Sequence, residues 1–133
     1  MRFVSIDISG YGRLGERTID GLDAFTVLHG PNEAGKSTFR RLLRDLLFGF
    51  PTNASSSHPY SFSRTREARA SIALEDGRNL TLSRKRSKQE FLRIEPAEFG
   101  NDAWKALLSG MDDAIYGRML CCSAPEMLET AVA

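Results

Sequence analysis

The chain has 133 residues, 18 Lys and Arg against 17 Asp and Glu, and 41% hydrophobic content. That is enough for one domain with a real core and ordinary for a soluble globular protein. No apolar run reaches the roughly 20 residues of a membrane-crossing helix, so no membrane partner is expected, and the opening Met1-Arg2-Phe3-Val4-Ser5-Ile6-Asp7 has no apolar secretory stretch. The two cysteines, Cys121 and Cys122, are neighbours with no third to pair with. No disulfide framework is predicted, and a reducing, cytoplasmic setting is expected. The net charge of +1 is unevenly spread. Residues 1–63 hold 7 basic and 6 acidic side chains, residues 64–93 hold 9 and 4, and residues 94–133 hold 2 and 7.

In chain order, Val4, Ile6 and Ile8 alternate with Ser5 and Asp7, the period of a half-buried strand. Ser9 to Gly12 is a turn, and residues 13–19 are predicted to return as a second strand paired with the first. Asp20 to Asp23 turns the chain into Phe25-Thr26-Val27-Leu28-His29, which reads as a short buried strand. Phe39, Leu42, Leu43, Leu46 and Leu47 then fall at i, i+3, i+4, i+7 and i+8, one apolar face of a helix predicted from Lys36 to Phe48. Gly49 suits its C-cap, Pro51 prevents continuation, and Arg40, Arg41, Arg44 and Asp45 take the exposed face. Residues 52–63 form a long polar loop.

Residues 67–93 are predicted to form an antiparallel meander. Ala70, Ile72 and Leu74 alternate with Ser71, Ala73 and Glu75, Asp76-Gly77 is a hairpin turn, and Leu80 and Leu82 alternate on the return. Arg84 to Lys88 makes a second, charged turn, and residues 91–94 a third strand. Asp102 suits the N-cap of a helix carrying Trp104, Leu107, Leu108 and Met111 on one face. Asp112 or Asp113 caps another, with Ile115, Met119 and Cys122 inward.

Between the strand predicted at 25–29 and the helix predicted at 36–48 lies Gly30-Pro31-Asn32-Glu33-Ala34-Gly35-Lys36-Ser37-Thr38, which fits G-x-x-x-x-G-K-[ST]. Strand, glycine-bracketed loop and helix is the arrangement that phosphate binding needs. Glycines let the backbone curl around an anion, and the curled N–H groups and helix N-terminus point at it. The expected ligand is ATP with Mg²⁺. Lys36 is expected at the β- and γ-phosphates, the Ser37 hydroxyl on Mg²⁺, the amides of Glu33 to Thr38 around the phosphates, Thr38 near the α-phosphate and Asn32 near the γ-phosphate. Hydrolysis needs a second acidic metal partner and a residue to orient water. No apolar strand after residue 38 ends in such an acid, and Leu74-Glu75-Asp76 runs into a hairpin, so the catalytic residues are expected outside this chain. His29, His58, Cys121 and Cys122 have no metal-ligand spacing. Arg84, Lys85, Arg86 and Lys88, with Arg64, Arg66, Arg69 and Arg78 nearby, are candidates for a DNA-backbone patch or for a solvated hairpin.

The opening strand with Tyr11-Gly12, then GPNEAGKST, then Leu46-Leu47-Phe48-Gly49-Phe50-Pro51 resembles the N-terminal part of SMC-like ABC ATPase heads of the YhaN and SbcC type, some of which act in DNA repair. Leu107 to Asp112 and Ile115 to Met119 resemble the two helices after that family's meander. The resemblance implies an α/β P-loop lobe with an antiparallel meander and an incomplete sheet. A coiled coil and a C-terminal lobe with the signature motif, metal-binding Asp and catalytic Glu would lie beyond it. It also implies a second head as homodimer partner, DNA and a nuclease as further partners, and turnover only in the completed head. Adenine contacts are expected from Arg13 and the region of Tyr60 to Arg64. A Gln after the second helix is frequent in such heads. Cys121 to Glu126 stands there, and the chain's single glutamine is Gln89. An OLD- or RecF-like ATPase and a nucleotide-binding module without turnover are the competing readings. Without neighbouring strands, residues 25–29 are expected to leave an unpaired apolar edge.

Overall fold

The computed structural model describes residues 1–50, 66–86, 90–97 and 100–117. They belong to two compact units, Met1–Gly100 and Asn101–Ala133. The first contains β1 (Arg2–Gly10), β2 (Arg17–Ile19), α1 (Lys36–Phe48), β3 (Arg66–Ala73), β4 (Asn79–Arg86) and β5 (Glu90–Glu95). The strands make one antiparallel sheet in the order β2-β1-β3-β4-β5.

The hairpin expected at the start is present, with Ile6 opposite Ile19 and Ile8 opposite Arg17. Its second arm is shorter than predicted. Tyr11 and Leu14 exchange both backbone hydrogen bonds, at 3.2 and 2.9 Å, and this tight turn draws in residues expected to be strand. The meander follows its predicted register signals. Leu74 and Arg78 close the turn around Asp76-Gly77, Ile72 faces Leu80, Ala70 faces Leu82, and Leu82 faces Ile94. What local patterning does not supply is the placement of β1 beside β3, which joins hairpin and meander into one sheet.

One sheet face is apolar. Ile6, Ile8, Ala68, Ala70, Ile72, Leu80, Leu82 and Ile94 are buried on it. Helix α1 packs against β3 and β4 and buries Phe39, Leu42, Leu46 and Leu47. Its predicted bounds hold, with Gly49 as C-cap at φ 110°. The opposite sheet face carries the row Asp7, Arg69, Ser83 and Arg93, a solvated polar surface.

Residues 25–29 depart from expectation. They form no strand, and Phe25, Val27 and Leu28 are 86%, 69% and 48% exposed. A strand exists only through hydrogen bonds to a neighbour, and the described sheet is wholly antiparallel, with its edges at β2 and β5. The last backbone bond before this stretch runs from Leu22 N–H to Val4 O, at 3.1 Å.

In the second unit, α2 covers Asn101–Leu107 and α3 covers Asp113–Ile115. Asp102 lies in the first turn of α2 instead of capping it. Asp112 caps α3 by accepting from Ile115 N–H at 2.7 Å. Trp104 and Leu108 are buried, as their spacing predicts, but Ile115 is exposed. Met119 and Cys122 lie outside the described residues.

Candidate functional site

The loop before α1 is wound tightly. Ala34 N–H donates to Pro31 O at 3.2 Å, and Phe39 N–H donates to Gly35 O at 2.8 Å to begin the helix. Glu33 and Gly35 both have left-handed backbone, φ 66° and 94°, on either side of Ala34. Backbone that alternates in hand turns successive N–H groups toward one concave side, an anion-binding nest. The left-handed backbone at Gly35 favours glycine, and a Cβ there would lie 2.9 Å from Cδ2 of Leu14. A Cβ on Gly30 would be a tight 3.1 Å from the Cβ of Ala34. Helix α1 has no side-chain N-cap and no acidic residue in its first turn. The first-turn amides of Lys36, Ser37 and Thr38 therefore keep the positive end of the helix dipole facing the loop.

Lys36 bridges the loop. Its ammonium donates to Gly30 O at 2.6 Å and Pro31 O at 2.8 Å, which holds the charge at the mouth of the nest. Pro31, Asn32, Glu33, Ala34 and Ser37 are exposed and Gly30 is half-buried, whereas Thr38 is buried. A cavity of about 370 Å³ adjoins the loop, lined by Leu14, Arg17, Leu28, Lys36, Phe39 and Arg40 among others.

The far end of α1 is anchored by residues that the sequence pattern assigned elsewhere. Arg84, expected in a charged turn and a candidate for either a DNA patch or a solvated hairpin, lies on β4 on the same face as Leu80 and Leu82 and is only 7% exposed. Its guanidinium donates to Leu46 O at 2.6 Å and Leu47 O at 3.0 Å. These are terminal carbonyls that a helix cannot satisfy internally. Arg86 donates to Phe50 O at 2.9 Å. Lys85 pairs with Glu67 at 2.8 Å, and Arg69 donates to Ser83 at 3.2 Å. Arg78 pairs with Asp76. Arg84 and Arg86 thus turn inward to α1 and the segment after it, whereas Arg69 and Lys85 are exposed. Lys88 and Arg64 lie outside the described residues.

Asp45, expected on the exposed face of α1, is 7% exposed and accepts a hydrogen bond from the buried Tyr11 hydroxyl at 2.5 Å. Burial, then the Asp45 charge and this bond, push the Tyr11 phenol well above its ordinary range, and the charges of Arg66 and Arg41 oppose the shift. The pair ties the β1–β2 turn to α1. One sequence signal pointed to the Arg84 anchor, its inward parity with Leu80 and Leu82; none pointed to Asp45. Of the remaining expected contacts, Arg13 is exposed in the Tyr11–Leu14 turn. Tyr60 to Arg64, Gln89 and Cys121 to Glu126 lie outside the described residues.

A mixed α/β unit with a nest and a lysine at a helix N-terminus defines a class, an ATPase-like nucleotide-binding domain. The sequence profile of a family described as "AAA domain" matches residues 1–132, and the chain belongs to that family. Over 52 residues it is 40% identical to a Bacillus subtilis (strain 168) protein described as "Uncharacterized protein YhaN". That stretch is 38% of this chain and 5% of the relative, so the chain matches only a small part of that protein's length.

Proposed function

We propose that this chain is the phosphate-binding lobe of an SMC-like ABC ATPase head and holds ATP with Mg²⁺ at residues 30–38. The observation that carries this reading is the paired left-handed backbone at Glu33 and Gly35, closed by Lys36 at the start of α1. When nucleotide binds, Lys36 would exchange its two carbonyl acceptors for the outer phosphates. The amides from Glu33 to Thr38 would hold the remaining phosphate oxygens, Asn32 would border the γ-phosphate, and the exposed Ser37 hydroxyl would be the Mg²⁺ ligand. The metal, when bound, neutralises phosphate charge. The cavity lined by Leu14, Arg17 and Phe39 suits the nucleoside end, with apolar walls and a cation at its rim.

In this reading, turnover belongs to a completed head. The exposed Phe25-Thr26-Val27-Leu28-His29 becomes a strand when a C-terminal lobe supplies neighbours, and a second head faces the loop.

Calorimetric titration with ATP and Mg²⁺ tests the site. Lys36→Ala removes the charge at the loop mouth and is expected to lower affinity at least about tenfold, since charge-assisted bonds contribute about 1.5–3 kcal/mol each. Unchanged ATP affinity in Lys36→Ala would refute the assignment.

A further inference from the structure

Glu33 is an unexpected residue on an anion cradle. It occupies one of the two left-handed positions of the nest, where its Cβ is unfavourable and glycine is not. Its side chain is exposed. Among the described residues the Glu33 side chain makes no hydrogen bond or ion pair. Lys36, three positions on, directs its ammonium to Gly30 O and Pro31 O instead. Glu33 is itself a residue of the loop, so its carboxylate stands no farther from the cradle than its own side chain reaches. That is within one Debye length, about 8–10 Å at physiological salt, so the charge is incompletely screened.

We infer that Glu33 acts as an electrostatic brake on the phosphate cradle. This rests on the nucleotide reading above and adds regulation to that same site. The nest and Lys36 attract a polyphosphate, and the Glu33 carboxylate opposes it. The opposition weakens the hold on bound nucleotide and hastens its release. Glycine at this position would give the same backbone without the charge. Glutamine keeps the side-chain length and the left-handed strain but removes the charge, so the two substitutions separate electrostatics from conformation.

The test uses the full chain with ADP and Mg²⁺ as probe, comparing the parent, Glu33→Gln, Glu33→Gly and Lys36→Ala by calorimetry in low salt and in about 0.5 M salt. Glu33→Gln is expected to bind ADP about three- to tenfold more tightly than the parent in low salt, for one repulsive charge at this range. The advantage is expected to shrink toward unity in high salt. Glu33→Gln equal to the parent, or weaker, overturns the brake. So does a gain seen only in Glu33→Gly, because strain and not charge would then be the cause. Lys36→Ala binding as tightly as the parent overturns the nucleotide reading and the brake with it. Loss of binding in Lys36→Ala beside an unaltered Glu33→Gln overturns the brake alone.

Discussion

Tyr11 and Asp45 show how one buried contact ties remote parts of the chain. The hydroxyl of a turn residue donates to a helix carboxylate 34 positions away. The phenol resists ionisation in the fold because it is buried and faces that negative charge. The unfolded chain has no such restraint, so its tyrosine ionises from about pH 10 upward. Since the folded value is raised, this contribution is complete below pH 10 and declines as pH rises further. Tyr11→Phe should lower stability at pH 7 by about 1.5–3 kcal/mol, the worth of a hydrogen bond to a charged group. It should also flatten the stability loss between pH 10 and 11, measured as urea midpoints. Equal alkaline slopes in both proteins would show that Tyr11 is not the titrating group. Apolar periodicity says nothing about this pair, because neither residue's partner is nearby in sequence.

Among the elements, α1 is the one whose ends have different tasks. Its N-terminus faces the loop without a side-chain cap, and its C-terminus is held by Arg84 through Leu46 O and Leu47 O. The cation sits where the helix dipole is negative, which favours it. Arg84→Ala and Arg84→Met should each destabilise the fold by about 2–4 kcal/mol, since two carbonyls lose a charged donor in a buried site. Chemical denaturation reads this directly. The methionine variant decides the cause: stability near the parent's would mean that Arg84 serves as packing volume and not as a donor. The bounds of α1 were readable because the 3.6-residue period, Gly49 and Pro51 agree. Its anchoring was not, because a basic run ordinarily marks a solvated turn. Here β4 continues to Arg86, and its alternation turns Arg84 and Arg86 inward.

For the molecule as a whole, the apolar stretch at residues 25–29 is the chief unresolved cost. Phe25 and Val27 stand in solvent, next to backbone groups that no described strand engages. Such a surface favours association. The 133-residue chain alone should self-associate at micromolar concentration, read by light scattering after size exclusion. Phe25→Ser with Val27→Ser should shift it toward monomer with little change in stability, because neither side chain is buried. A parent that is already monomeric at high concentration would overturn this expectation.

By itself, the sequence determined the local units: the helix from Lys36 to Phe48, the meander turns at Asp76-Gly77, and the glycine-bracketed loop that precedes Lys36. Short-range period, turn chemistry and steric need fix these within a few residues. Only tertiary structure decided that β1 lies beside β3, that Arg84 is a buried helix anchor and that Asp45 faces Tyr11. It also decided that residues 25–29 remain unpaired in the described sheet. Each of those outcomes depends on a partner distant in the chain, or on the lack of a neighbouring strand, and hydrophobic period alone cannot encode which partner arrives.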